Sequence, residues 1–272
     1  MLKLVTILIP NYKTFILTKL CLRLLRKNTD LRKAHVIVID NDSQDESLAY
    51  LKTVTWIELI ERKAEPSESP ALSHARALDL ALKRVTTPYV LSIHTDTFIK
   101  HPGWLDFLLA PMLKNSNVAG VGSWKLESKT RWKRTLKLIE HYFQLTYYRL
   151  THNSQHTLEG VGKNYYYLRS HCALYRMDLL RQLNLYFALE DRVAGKAMHR
   201  ELLSAGYEMY FFSSEKLIKY LEHINHATTV LNPELSTRIK SVSKGLRRIE
   251  KSLARMNAYA LLQEEWLDGP LQ

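Results

Sequence analysis

The twelve residues YVLSIHTDTFIK, from Tyr89 to Lys100, run an apolar segment straight into a small polar turn that carries one carboxylate, Asp96. A carboxylate fixed at the rim of a sheet can hold a hard divalent cation, and the cation can neutralise a diphosphate. The same side chain can instead cap or turn the backbone ahead of Pro102, and the residues alone leave both uses open. Further along, Glu190 and Asp191 form an acidic pair placed to meet the positive end of the helix that follows. His223 and His226, in HINH, are spaced to share a helix face, where imidazoles can return to the same anionic ligand or simply face solvent.

These groups are useful only if the chain converges on them. Tyr89, Val90, Leu91 and Ile93 read as a buried strand that delivers His94, Thr95 and Asp96 to its carboxyl end, where open α/β sheets form a ligand crevice. Upstream, Leu4 to Ile9 is a β-branched strand ending at Pro10-Asn11-Tyr12, followed by Leu17, Leu20, Cys21, Leu24 and Leu25 at helical spacing. Val36 to Ile39 is a second strand, ending in Asp40-Asn41-Asp42-Ser43, where Ser43 and Glu46 have the spacing of a capping box. Trp56 to Ile60 is a third, and Ser69-Pro70 opens a helix whose Leu72, Ala75, Leu78 and Leu82 share a face. Alternation of this kind predicts a mostly parallel sheet covered by helices on both faces, with the loops at 10–13, 40–43 and 94–97 gathered along one edge.

Three of these segments together resemble the family-2 glycosyltransferases of the GT-A fold. VTILIPNYK is similar to that family's first strand and nucleotide loop, VIDNDSQDES to its strand-two motif, and SIHTDT to its DXD turn. The resemblance spans roughly the first 125 residues and implies a nucleotide-sugar donor. It implies that Pro10, Asn11 and Tyr12 line the base and ribose, that Asp40 and Asn41 lie at the nucleobase, and that His94, Thr95 and Asp96 meet the diphosphate. Asp96 would bind a divalent metal, manganese or magnesium. His94 stands where the family has its first acid, which removes a negative charge and offers a group that ligates only when neutral; a strand-end histidine can equally be a hydrogen-bonded core residue. By the same resemblance His223 or His226 replaces the missing carboxylate, and Glu190 or Asp191 is the general base of an inverting transfer, with Asp191 preferred. The pair stands nearly one helical turn further ahead of AGYEMYFF than the family pattern leads one to expect.

Beyond Val118 to Gly122, a further strand, the chain turns basic and aromatic. Lys125, Lys129, Arg131, Lys133, Arg134 and Lys137 precede Tyr142, Phe143, Tyr147 and Tyr148, which reads as an exposed helix or an acceptor-side element. His171 to Tyr175 and Tyr207 to Phe212 are predicted strands, the latter the last of the sheet. Pro233 to Trp266 reads as one long helix, in which Leu235, Ile239, Val242, Leu246, Ile249, Leu253 and Met256 keep a 4,3 alternation. Arg and Lys surround that seam, so it is expected to dock on its own domain or on a second copy in a homodimer, with its basic face toward an anionic membrane.

With 272 residues, 46% of them hydrophobic, the chain can bury a full core. The expected organisation is a catalytic domain over 1–230, divided into a donor half (1–125) and an acceptor half (126–230), with a helical extension over 231–272. The net charge of +12 favours anionic partners but does not choose among nucleotide phosphates, membrane and nucleic acid. No nucleic-acid-reading motif accompanies it. Neither a membrane span nor a signal peptide is evident, so a cytoplasmic enzyme, peripheral at most on the inner face of a membrane, is expected. Cys21 and Cys172 read as buried thiols. The expected activity is transfer of a sugar to a glycan or lipid-linked acceptor. The other readings are a nucleotidyltransferase of similar fold and a non-catalytic basic scaffold.

Overall fold

The computed structural model describes residues 3–126, 160, 164–191, 193–235 and 242–271, with scattered positions between 132 and 147. Nine strands are described: β1 (Val5–Asn11), β2 (Ala34–Asn41), β3 (Glu58–Arg62), β4 (Tyr89–Ile93), β5 (Thr97–Ile99), β6 (Val118–Gly122), β7 (Cys172–Arg176), β8 (Glu208–Phe211) and β9 (Leu221–His223). The helices are α1 (Phe15–Asn28), α2 (Glu46–Leu51), α3 (Pro70–Leu82), α4 (Trp104–Lys114), α5 (Met177–Gln182), α6 (Lys196–Ser204), α7 (Ser214–Leu217), α8 (Ala227–Leu231), α9 (Val242–Arg255) and α10 (Ala258–Leu261).

Seven strands form one sheet in the order β3-β2-β1-β4-β7-β6-β8. Pairings β1/β2, β1/β4, β2/β3 and β6/β8 are parallel, as expected, while β7 runs antiparallel to both β4 and β6. Burial on both faces explains why β1, β2 and β4 are nearly continuous apolar runs. One face packs α1, α4 and the C-terminal helices in a single core with Val5, Ile7, Leu91 and Leu174. The other packs α3, α5 and α6 on Leu8, Ile37, Val90 and Tyr175. No helix among the described residues is long and apolar enough to cross a membrane. Cys21 and Cys172 are buried free thiols.

Local chemistry sets the element ends. Ser69 caps α3, its hydroxyl accepting from Leu72 N at 3.2 Å, and Pro70 occupies the first helical position. The expected Ser43/Glu46 capping box is not formed. Asp45 caps α2 through Ser47 N, while the Ser43 hydroxyl accepts from Asn11 Nδ2 and Lys13 N, joining the β2 loop to the β1 loop.

A second, two-stranded sheet decides the site. β5 and β9 pair antiparallel, with Thr97 opposite His223 and Ile99 opposite Leu221. The strand expected to be last, β8, is therefore followed by another that returns the chain to the Asp96 turn.

The region expected to form one long helix is divided. Pro233–Leu235 is a single 3-10 turn, α9 follows, and Asn257, at φ 51°, breaks the path before α10. Residues 236–241, which include Ile239, Arg238 and Lys240, lie outside the described residues, as do Lys129, Arg131, Lys133, Arg134, Lys137 and Tyr148. The described part docks on its own domain, Ile249, Ala258, Leu261 and Leu267 joining the sheet core. Most of the heptad seam faces inward, Ile249 in the core with Val242, Leu253 and Met256 packed against it, but Leu246 is 39% exposed and Gly245 and Ser252 are buried beside the seam. The tail is pinned by Arg23, wholly buried on α1, which donates to Asp268 Oδ1 at 3.0 Å and to the Leu261 carbonyl at 3.1 Å. Residues 242–271 thus share the core of the domain they follow.

Candidate functional site

A cavity of about 700 Å³ opens at the carboxyl ends of β1, β2 and β4, between these strands and the β5/β9 pair. Asp96 lies at its floor, 3% exposed. The Asp96 carbonyl accepts from Ile224 N at 3.0 Å, and its Oδ2 accepts from Ala227 N at 3.3 Å, so the end of β9 and the start of α8 clamp the residue from both sides. Its other oxygen, Oδ1, is buried without a hydrogen-bond donor. His223 Nε2 stands 3.2 Å from that oxygen, and His94 Nδ1 stands 3.8 Å from it. One ligating atom from each of His94, Asp96 and His223 falls within 4.8 Å of the others.

Electrostatics suit these groups to a cation. Burial works against ionisation of Asp96, but the neighbouring His223 and His94 and the Ala227 N–H outweigh it and hold the carboxyl below its ordinary range. Burial pushes His94 down to about 3 and His74 to about 4, so both are neutral imidazoles with a lone pair to give. His171, stacked on His223 with ring centroids 4.5 Å apart, is pushed well below its usual value by burial and the neighbouring imidazoles; its Nε2 is hydrogen-bonded to the Ser123 hydroxyl at 2.9 Å. Two nitrogens and one carboxylate oxygen make a donor set for a divalent transition ion. The orphaned Asp96 Oδ1 at its centre is the atom that such an ion would satisfy.

The expected nucleotide residues divide. Pro10, Tyr12, Asn41 and Thr95 line the cavity, Thr95 with its hydroxyl hydrogen-bonded to that of Thr14 at 3.0 Å. Asn11 reaches the wall, yet its side chain is committed underneath: Nδ2 donates to Asp40 Oδ1 at 2.8 Å and Ser47 Oγ at 2.9 Å, and Oδ1 accepts from Thr18 at 2.6 Å. Asp40, expected beside the base, does not line the cavity. It is 2% exposed, its second oxygen accepts from Ser43 N at 3.1 Å, and it serves as the internal brace of the two loops. Neighbouring residues of a strand point to opposite sides, so Asp40 and Asn41 cannot both face the ligand. Asn41 lines the cavity, steadied by Arg62 Nη1 at 2.6 Å and by its own bond to Ser73 Oγ at 2.9 Å.

His223 is brought to Asp96; His226, three residues on, lines the same cavity but belongs to the rim, capping α8 at φ 61°. Glu190 is turned away from the cavity, its carboxylate 2.5 Å from Arg200 on α6. Asp191 follows Glu190 at a kink, Glu190 standing at φ 64°, and the cavity-lining Val193 and Ala194 come two and three residues later; the Asp191 side chain lies outside the described residues. The helix expected to follow the acidic pair starts at Lys196, after Gly195 at φ 74°. Asp79 of α3 holds the approach to the turn, accepting from Phe187 N at 2.6 Å and Ala188 N at 2.9 Å.

His74, Ser170 and Arg169 carried no sequence signal, whereas Lys125 belongs to the basic, aromatic stretch read above as an exposed helix or an acceptor-side element. His74 and Ser170 line the cavity and bond through Ser170 Oγ, which lies 3.1 Å from His74 Nε2 and 2.9 Å from His94 Nε2. On the far side Lys125, Tyr167 and Arg169 complete the wall, Arg169 stacking on Trp124 at 4.2 Å. Ser170 is 96 residues from His74 and 76 from His94 in sequence, and only the fold joins them.

Comparison with known proteins fits this arrangement. The chain is similar to the mannosyltransferase PcManGT from Pyrobaculum calidifontis, solved in complex with GDP-Man and Mn2+: 16% identity, 98% of this chain and 76% of that one covered, TM-score 0.56. It is also similar to TarS 1–349 from S. aureus, at 16% identity over 97% and 76% of the two chains, with a TM-score of 0.52. At such identities these likenesses establish the fold, which is GT-A-like. No curated protein matches the chain by sequence. The model of Glycosyl transferase family 2 matches residues 6–183, more than half of the chain, which therefore belongs to that family.

Proposed function

We propose that the chain transfers a sugar from a nucleoside-diphosphate-sugar to a hydroxyl of a glycan or lipid-linked acceptor, with inversion at the anomeric carbon. The observation that carries this reading is the convergence of His94, Asp96 and His223 on one buried, donor-free carboxylate oxygen at the floor of the cavity. These three residues would hold a divalent cation, manganese being the better match to two imidazoles than magnesium. When bound, the cation neutralises the diphosphate and so makes the nucleotide a better leaving group.

In this reading the chain's residues divide the work along the cavity. Tyr12 and Asn41, at the β1 and β2 ends, receive the nucleoside, and the clamped Asp96 turn receives the diphosphate. Lys125, Tyr167 and Arg169 form the acceptor side, where the planar face of Tyr167 suits a sugar ring. Asp191 takes the proton from the acceptor hydroxyl as its oxygen attacks opposite the departing nucleotide. PcManGT, solved with GDP-Man and Mn2+, supports this assignment of donor class and metal by likeness of fold. Exposed Lys244, Arg247 and Lys251 on α9 would meet an anionic membrane that carries the acceptor. The test is a thermal-shift screen of UDP, GDP, CDP and ADP with and without manganese. Stabilisation by one base and only with metal is expected; no preference for any nucleoside diphosphate would contradict the proposal.

A further inference from the structure

Behind His94, Asp96 and His223 lies a further layer of side chains, whose role rests on the reading of those three residues as a cation site. Ser170 Oγ lies 2.9 Å from His94 Nε2 and 3.1 Å from His74 Nε2. A hydroxyl has one proton, so it can donate to only one of these nitrogens and must accept from the other. The two imidazoles are therefore locked in complementary states. In one order His74 Nε2–H donates to Ser170 and Ser170 donates to His94 Nε2, leaving the His94 proton on Nδ1, facing Asp96 Oδ1 at 3.8 Å. In the other, His94 Nε2–H donates to Ser170 and Ser170 donates to His74 Nε2, which bares the Nδ1 lone pair toward the same oxygen. Only the second order gives a ligand.

We propose that Ser170 and His74 are positioning residues, a hydroxyl-bridged relay that fixes the His94 tautomer and so makes Nδ1 a metal ligand in a turn that lacks its first acid. Passing from the first order to the second takes a proton from His94 Nδ1 and places one on His74 Nδ1, while the two shared protons shift along the bridge. The relay thus changes direction with no net proton released. Without the hydroxyl, nothing holds the His94 proton on Nε2, and the ring is free to keep it on the ligating atom. Ser170 thereby supplies the orienting contact that metal-bound imidazoles commonly take from a carboxylate or carbonyl.

The experiment is titration of the parent chain, Ser170→Ala, Ser170→Thr and His74→Leu with cobalt(II) alone, followed by its visible absorption band and by calorimetry. The expected result is a 10- to 100-fold loss of affinity in Ser170→Ala and His74→Leu, recovery to within a few-fold in Ser170→Thr, and unchanged melting temperatures without metal. In the zinc-loaded parent chain, nitrogen-15 shifts should show His94 protonated at Nε2 and coordinated through Nδ1. Cobalt binding by the parent with Ser170→Ala within two-fold of it overturns the relay alone. A loss that tracks a lower melting temperature and that threonine does not restore overturns it too, as a purely structural effect. Failure of the parent chain to bind cobalt at all overturns the cation reading and the relay together.

Discussion

His223 stands 3.2 Å from Asp96 because Thr97 and His223 are register partners across β5 and β9. The relation is one of strand register: a one-residue slip would turn His223 to the other side of the ribbon and remove the second nitrogen from the site. Pairing is reinforced at both ends, by Lys100 N to the Tyr220 carbonyl at 2.8 Å and by Ile224 N to the Asp96 carbonyl at 3.0 Å. The carboxylate and the imidazole are thus held in place by backbone pairing.

Asp40 and Asn41 should separate stability from binding. Asp40→Ala leaves Ser43 N without its acceptor in the interior, removes one of the three acceptors around Asn11 Nδ2, and is expected to cost about 2 kcal/mol of stability. Asn41→Ala, at the cavity wall, should weaken nucleotide binding while changing stability by less than about 1 kcal/mol. Chemical denaturation and nucleotide titration of both variants check this. Equal effects of the two on binding would argue for a shared role.

On α9, the adjacent residues Gly245 and Leu246 carry opposite expectations, because the first is buried against α8 and the second is exposed. A Cβ at Gly245 would fall 2.4 Å from Val230 Cγ2, so Gly245→Leu should destabilise by about 2 kcal/mol through overpacking of α9 on α8. Leu246→Asp, at a 39% exposed position, should cost under about 1 kcal/mol and leave the oligomeric state unchanged. Melting curves of the two proteins decide between the observed docking and a seam-centred one.

Acid should unfold the protein earlier than its carboxylates alone require. Burial lowers His199 to about 4, its Nδ1 accepting from Leu168 N at 3.3 Å, and His74 and His94 are lowered to about 4 and about 3. A histidine whose folded pKa lies below its unfolded one binds fewer protons when folded. Its contribution is therefore complete above about 6.5 and is lost as pH falls toward 4, on the order of 3 kcal/mol at most for each. Asp79, raised by burial to about 6, acts in the opposite sense over about pH 4 to 6, and one such group does not offset three. The melting temperature should fall from pH 6.5 to 4, and His199→Gln should flatten that slope.

The acidic pair should prove unequal. Glu190→Gln is expected to keep turnover within a few-fold, because Arg200 already occupies its carboxylate. Asp191→Asn should lower kcat by roughly 10² to 10⁴ with donor affinity unchanged, the signature of a lost general base. Steady-state kinetics alongside nucleotide titration distinguishes the two.

The parts of the fold that repeat a long apolar period were legible in the sequence. Tyr89–Ile93 was placed residue for residue, because a buried strand bounded by Pro88 and a polar turn has one reading. The antiparallel sense of β7 was not, since burial on both faces gives the same apolar run in either direction. Thr97–Ile99 and Leu221–His223 are each three residues long, too short to show a period, and they happen to be the strands that build the site. Asp40 drew the nucleotide role, together with Asn41, from the resemblance of VIDNDSQDES to the family's strand-two motif. Strand alternation assigns that face to its neighbour, and the carboxylate is spent on Asn11 and Ser43.

The most direct test of a metal-assisted nucleotide-sugar site is calorimetric titration of the best-stabilising nucleoside diphosphate into the parent chain and into Asp96→Asn and His223→Ala, each with and without manganese. The account predicts binding by the parent that strengthens at least tenfold with manganese, and variants that keep the weak metal-free binding and their fold but lose the gain. Manganese-independent binding by the parent, or an undiminished manganese effect in Asp96→Asn, would contradict it.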